Sequence, residues 1–131
     1  DAVSGQEYKD LGVNEIITIQ YPDGKGKGKV FFSVASAQLE PGENLETFIS
    51  SVYQSTSPEI EEASQSNYDN GDLTGYEWVY KRPWGEPYWK FRDVWLEKNG
   101  VVYLLSFRAS PTSFDSNMEV SNTILKSFEF K

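Results

Sequence analysis

Residues 88–107 read YWKFRDVWLEKNGVVYLLSF, and the way this stretch alternates decides the fold. With a side-chain period of two, Trp89, Phe91 and Trp95 share one side of an extended chain, and Tyr88, Val94 and Leu96 share the other. A strand that is apolar on both faces belongs inside a sheet covered on both sides. Asn99-Gly100 is a strong two-residue hairpin signal, and the nearly continuous apolar run from Val101 to Phe107 is the returning strand.

Upstream, Gly75 to Lys81 predicts a further strand with Tyr76, Trp78 and Tyr80 on one face. It is separated from the central strand by a turn at Arg82 to Pro87, where two prolines and a glycine leave few ladder donors. Ile60 to Tyr68 alternates weakly and is polar, which suits a strand at a sheet edge. The β-branched run in Glu15 to Tyr21 and the stretch Val30 to Val34 predict a first pair of strands, joined through Pro22-Asp23-Gly24 and a Gly-Lys alternation.

Helical spacing appears once with clarity. Leu45, Phe48, Ile49, Val52 and Tyr53 fall at i, i+3, i+4, i+7 and i+8, behind Asn44 as a suitable N-cap. After Ser110-Pro111 a second helix is expected, capped by Ser113 or Asp115, with Met118, Ile124 and Leu125 inward. Phe128 and Phe130 are then expected to form a short edge strand. Residues 1–14 are small and polar, and they predict a loose N-terminal segment before a single domain over 15–131. The fold class expected is α+β: a central antiparallel sheet of about six strands with helices on both faces, an α/β/α sandwich.

Composition narrows the chemistry. Twelve basic against twenty acidic residues leave a net charge of −8, which disfavours nucleic acid and anionic lipid surfaces as partners. Lys25, Lys27 and Lys29 form the one basic concentration, and three charges in a turn serve solubility. The chain has no histidine and no cysteine, so it lacks the usual neutral-pH acid–base group, thiolate metal ligands and disulfides. It has no run of about 18 apolar residues to cross a membrane as a helix.

Three tempting motifs weaken on inspection. The Gly-Lys turn opens a strand, whereas a phosphate-binding loop ends in Gly-Lys-Ser/Thr and opens a helix. Asp69-Asn70-Gly71-Asp72, with Glu59, Glu61 and Glu62 before it, lacks the ligand spacing and terminal glutamate of a calcium loop and reads as a turn. Glu77, Glu86, Asp93 and Glu97 lie among aromatics, as a carboxylate pair of a glycosidase would, but acidic residues on such short strand-turn-strand segments are expected to be solvated. No catalytic residue, metal or cofactor is assigned. The candidate site is an aromatic surface of Tyr80, Arg82, Trp84, Tyr88 and Trp89 around the Arg82 to Pro87 turn, with Trp84 at its tip. Arg82 and Arg92 are placed to make cation-π contacts there.

Taken in order, several of these segments resemble the PsbP-like family, which is named for an extrinsic subunit of photosystem II. The matching pieces are Ile19-Gln20-Tyr21-Pro22, the Val30 to Leu39 strand leading into Asn44-Leu45-Glu46-Thr47-Phe48, and Gly75-Tyr76-Glu77. Asn99-Gly100-Val101-Val102-Tyr103 and the closing Phe114-Asp115 with Ser127-Phe128 complete the set, which spans most of residues 15–130. The resemblance implies an antiparallel sheet flanked by helices, and an extracytoplasmic protein that is secreted or held at a membrane by a lipid-anchored segment outside this sequence. A nuclear Ran-binding import factor shares that fold, so the fold does not carry the function. The short Gly-Lys turn and the lack of histidine depart from the photosynthetic pattern and argue against manganese or zinc binding; the expected source is a non-photosynthetic prokaryote. The expectation is therefore a monomeric, non-catalytic binding or assembly module that contacts a protein partner and neither binds nucleic acid nor inserts into a membrane. The alternatives are a carbohydrate-binding domain using the aromatic surface and, behind it, a hydrolase with paired carboxylates.

Overall fold

The computed structural model describes residues 14–22, 29–55, 60–69, 73–82 and 89–128. Residues 1–13 of the expected loose segment 1–14, the Gly-Lys turn, residues 83–88 with Trp84 and Tyr88, and Phe130 lie outside the described residues, while Asn14 begins the first strand.

Strands β1 (Asn14–Pro22), β2 (Lys29–Gln38), β3 (Glu61–Asp69), β4 (Thr74–Arg82), β5 (Trp89–Lys98) and β6 (Val101–Ala109) form one sheet in the order β1-β2-β6-β5-β4-β3. Every neighbouring pair is antiparallel. The Asn99-Gly100 link between β5 and β6 has φ of 55° and 78°, the left-handed pair that a two-residue hairpin requires. That tight turn places the two most apolar strands side by side at the sheet's centre, and β2 and β4 flank them.

The two faces of β5 feed two cores. Phe91 and Trp95 belong to a cluster with Ala35, Ala37, Tyr80, Val102 and Leu104. Val94 and Leu96 belong to another, with Val30, Phe32, Leu105 and Phe107. Helix α1 (Leu45–Ser55) buries Leu45, Phe48, Ile49, Val52 and Tyr53 in the first, the five residues of the predicted stripe. Its start is held by Asn44, whose Oδ1 accepts from the Thr47 N–H at 2.8 Å.

The second core is closed by α2 (Pro111–Ser116) and α3 (Met118–Ser127), through Phe114 and Leu125. Here the structure corrects the expected start. Helix begins at Pro111, not after Ser113 or Asp115, because a proline in the first turn has no N–H that an intrahelical bond would need. Ser113 is buried within α2, Asp115 is exposed at 3.8 Å from the Lys90 ammonium, and the break comes at Asn117. The Asn117 side chain donates to the Ser113 carbonyl at 2.9 Å. Phe128 is a second correction: it follows α3 outside any strand and packs at 6.4 Å from the Tyr103 ring. Arg92 fastens α3 to the sheet, donating to Ser121 Oγ at 2.8 Å, Asn122 Oδ1 at 2.5 Å and Glu77 Oε1 at 3.2 Å. Arg92, expected to make cation-π contacts at the aromatic surface, is thus directed to polar groups of α3 and β4, on the face opposite Tyr80 and Phe91.

Gly75 marks the closest approach of β4 to β5. A Cβ built there lies 1.9 Å from the Trp95 carbonyl oxygen, a backbone atom that cannot step aside. Gly75→Ala is expected to lower stability by about 1–3 kcal/mol in urea unfolding, the usual range for overpacking. An unchanged midpoint would show that the strands separate freely at this point.

Candidate functional site

Helix α1 covers only part of its sheet face. Under it lie the cross-strand row Tyr76–Trp95–Leu104–Ala35 and the row ending in Val102 and Ala37. The next row reads Trp78–Asp93–Ser106–Ser33, and the one beyond it Tyr80–Phe91–Arg108–Phe31, with Arg82 paired to Trp89 at the end. An apolar face thus turns into one carrying a carboxylate, two serines and two arginines among rings.

Asp93 organises the transition. It is 0% exposed, and its carboxylate is surrounded by donors. Oδ2 accepts from Tyr53 Oη at 2.6 Å and Tyr80 Oη at 2.5 Å, and Oδ1 accepts from Ser106 Oγ at 2.6 Å. Trp95 Nε1 in turn donates to Tyr53 Oη at 2.9 Å. Burial is the largest influence on the Asp93 carboxyl and pushes its pKa up, against the hydrogen bonds from Ser106, Tyr53 and Tyr80 and the charge of Arg82. The Tyr53 hydroxyl is pushed well above its ordinary value, first by burial and then by the Asp93 charge.

Beyond this network, guanidinium groups and rings alternate. Arg82 sits 5.7 Å from the Tyr80 and Phe91 centroids, and those rings stack at 5.0 Å with planes 4° apart. Arg108 lies 4.6 Å from the Phe31 centroid and 5.8 Å from that of Trp89, and the two rings meet edge-on at 5.8 Å.

The residues singled out from the sequence divide accordingly. Tyr80 is 1% exposed and Arg82 3%, so both are part of the core and neither presents a surface. The reason is register: Tyr80 faces inward beside Phe91, and its hydroxyl is engaged by Asp93. Trp89 is half-buried, beside Phe31. Among the carboxylates expected to be solvated, Glu97 is exposed, Glu77 is tied to Arg92 at 3.2 Å, Asp93 is fully buried, and Glu86 lies outside the described residues. Phe31, Tyr53, Ser106 and Arg108 had no place in the sequence-derived site. The period of two had already put Asp93 on the inward side with Phe91 and Trp95, which is the signal that identifies it as buried.

Asp93→Asn tests the network. An amide nitrogen facing hydroxyl donors is expected to cost about 1–3 kcal/mol in urea unfolding. Because burial raises the native pKa, the folded chain keeps a proton on Asp93 over a range where the unfolded chain has released it. This group's contribution is therefore greatest below the unfolded pKa and is lost as pH rises to the folded value. The wild-type advantage over Asp93→Asn should narrow as pH rises from the acid side; a gap that widens contradicts the assignment.

No protein-family model matches the chain, and neither does any curated protein sequence. Solved structures do match it in fold. PA94, a protein of unknown function from Pseudomonas aeruginosa, is similar with a TM-score of 0.73 at 8% identity, over 91% of this chain and 83% of its own. The cyanobacterial PsbP of Synechocystis sp. PCC 6803 is similar with a TM-score of 0.55 at 13% identity, over 93% of this chain and 88% of its own. Likeness at these identities speaks of fold and not of activity. The chain has a PsbP-like α+β fold, as the order of its sequence motifs implied.

Proposed function

We propose that this domain is a non-catalytic binding or assembly module that works outside the cytoplasm and docks a protein partner on the sheet end bearing Phe31 and Trp89. The observation that carries the reading is the half-buried Phe31–Trp89 pair set over the buried Arg108 guanidinium, at the end of the sheet beyond the rows that α1 packs on. Trp and Arg are the side chains most enriched among residues that dominate protein interfaces. In the sequence Trp84 and Tyr88 precede Trp89 by five residues and by one, and both are kept as candidate contacts.

Support for a non-catalytic role comes from how the ionisable groups are used. Asp93 is sealed from solvent, Glu77 is held by Arg92, and the chain has neither histidine nor cysteine. The extracytoplasmic placement rests on the PsbP-like likeness. Among the described residues no helix is long and apolar enough to cross a membrane.

The test is photo-cross-linking in the native envelope fraction, with a benzophenone amino acid at position 84 and, as a control, at Val120, which is 42% exposed on α3. A discrete cross-linked partner is expected from position 84 and not from position 120. In a parallel affinity pull-down without the probe, the partner captured by wild type should be lost with Trp84→Ala, the urea midpoints of both being measured alongside. Equal capture by wild type and Trp84→Ala would remove this surface from consideration.

A further inference from the structure

At the far corner of the same face, diagonally across from Phe31 and Trp89, a cleft of about 700 Å³ opens between the start of α1 and the β3–β4 hairpin. Glu46 comes from α1, Asn67 and Asp69 from β3, Thr74 and Tyr76 from β4, and Glu97 from β5. One turn further along α1 a second hollow of about 390 Å³ lies between Ser50, Tyr53 and Gln54 on one side and Ile60 and Trp78 on the other. Tyr76 and Trp78 are neighbours on the same face of β4, and Glu46 and Ser50 are one helical turn apart, so the two hollows lie in line along the helix, with the Tyr76 hydroxyl donating to Glu46 Oε1 at 2.5 Å in the first.

The β3 register gives this cleft its chemistry. Asp69 pairs with Thr74, Asn67 with Tyr76 and Gln65 with Trp78, so polar side chains of the edge strand lie next to the rings of β4 on one face. Gln65, Asn67 and Asp69 are all exposed, because α1 does not reach the edge strand. In the second hollow the indole Nε1 of Trp78 is buried and has no hydrogen-bond partner among the described residues. A buried donor without an acceptor is costly, and an acceptor from outside reaches this one only when the ring shifts.

We infer that this cleft binds a neutral oligosaccharide. Amides, a hydroxyl and carboxylates supply both donors and acceptors, which sugar hydroxyls need in mixed order, and half-buried Tyr76 lines the cleft beside them. Glu46, Asp69 and Glu97, in a chain of net charge −8, repel anionic sugars, phosphates and nucleic acid. Among the described residues no group of three acidic side chains is placed to hold a metal ion. A peptide strand adding to the sheet would pair with the outer backbone of β3 and leave the cleft side chains unused. This inference stands apart from the protein-docking surface, since the two share no residue. It moves the carbohydrate alternative from Tyr80, Trp84, Tyr88 and Trp89 to the other corner of the face.

The experiment is a titration of the ¹⁵N-labelled protein with cellotetraose, maltotetraose, xylotetraose and chitotetraose, and separately with an extended basic peptide. At least one oligosaccharide is expected to shift the Asn67, Asp69 and Tyr76 amides and the Trp78 indole N–H, with saturation by about 10 mM. Asn67→Ala and Asp69→Ala, each removing one side-chain hydrogen-bonding group, should each weaken that binding roughly fivefold. The exposed edge-strand position of Asn67 should leave the urea midpoint of Asn67→Ala unchanged. The inference is overturned if none of the four sugars moves these signals, if the shifts fall at Phe31 and Trp89, if the two variants bind as wild type, or if only the basic peptide binds, along β3.

Discussion

A carboxylate with no access to water has to find its hydrogen bonds inside the protein, and Asp93 finds them on three different elements. Tyr53 reaches down from α1, Tyr80 across from β4 and Ser106 from β6. The constraint acts in both directions. The hydroxyl groups are positioned by the elements that carry them, and those elements are held in one register because a one-residue slip would turn Tyr80 or Ser106 to the opposite face. Hydrophobic burial sets how strongly α1 adheres to the sheet, while the Asp93 cluster sets where along the sheet it rests. Loss of one donor would leave part of a buried charge unsolvated, a penalty larger than the worth of a surface contact.

The position of α1 in turn divides its face of the sheet. An eleven-residue helix is about 16 Å long at the usual rise and cannot cover six strands. One region beyond it runs past buried Asp93 and Arg108 to half-buried Phe31 and Trp89; the other, toward β3, carries exposed side chains. The first is built of rings and guanidinium groups packed against each other, the second of amides and carboxylates beside two rings. The contrast follows from the neighbours. The first region ends at β2, β6 and β5 and has apolar strands to bury against, while the second ends at an edge strand with few apolar side chains.

The opposite face follows a different rule. There α3 has a narrow apolar inner side, with Leu125 buried and Met118 and Ile124 partly so. Arg92 compensates by bonding Ser121, Asn122 and Glu77 together, a part-buried hub that ties helix, β4 and β5. The two faces therefore have buried polar anchors of opposite charge, Asp93 on one and Arg92 on the other, at adjacent positions of the same central strand.

Much of this architecture was legible in the residues. The period of two in 88–107, Asn99-Gly100 and the five-residue apolar stripe behind Asn44 are local signals, and they determined the central hairpin, the helix and an antiparallel α+β sheet. The α2–α3 pair was only half legible, since its break at Asn117 depends on Phe114 and Leu125 both turning into one core. The candidate site was least legible. Whether an aromatic or a charged side chain is a surface or a core group depends on what lies opposite it across strands distant in sequence. Tyr80 and Arg82 became core residues because Asp93 and Phe91 stand beside them, and Gln65, Asn67 and Asp69 stayed open because α1 is held one strand short of them. The sequence by itself determined which segments are strands and which is the main helix, because backbone periodicity is a local property. Tertiary structure alone decided which polar groups are buried and which hollows remain, because both are set by the register between elements far apart in the chain.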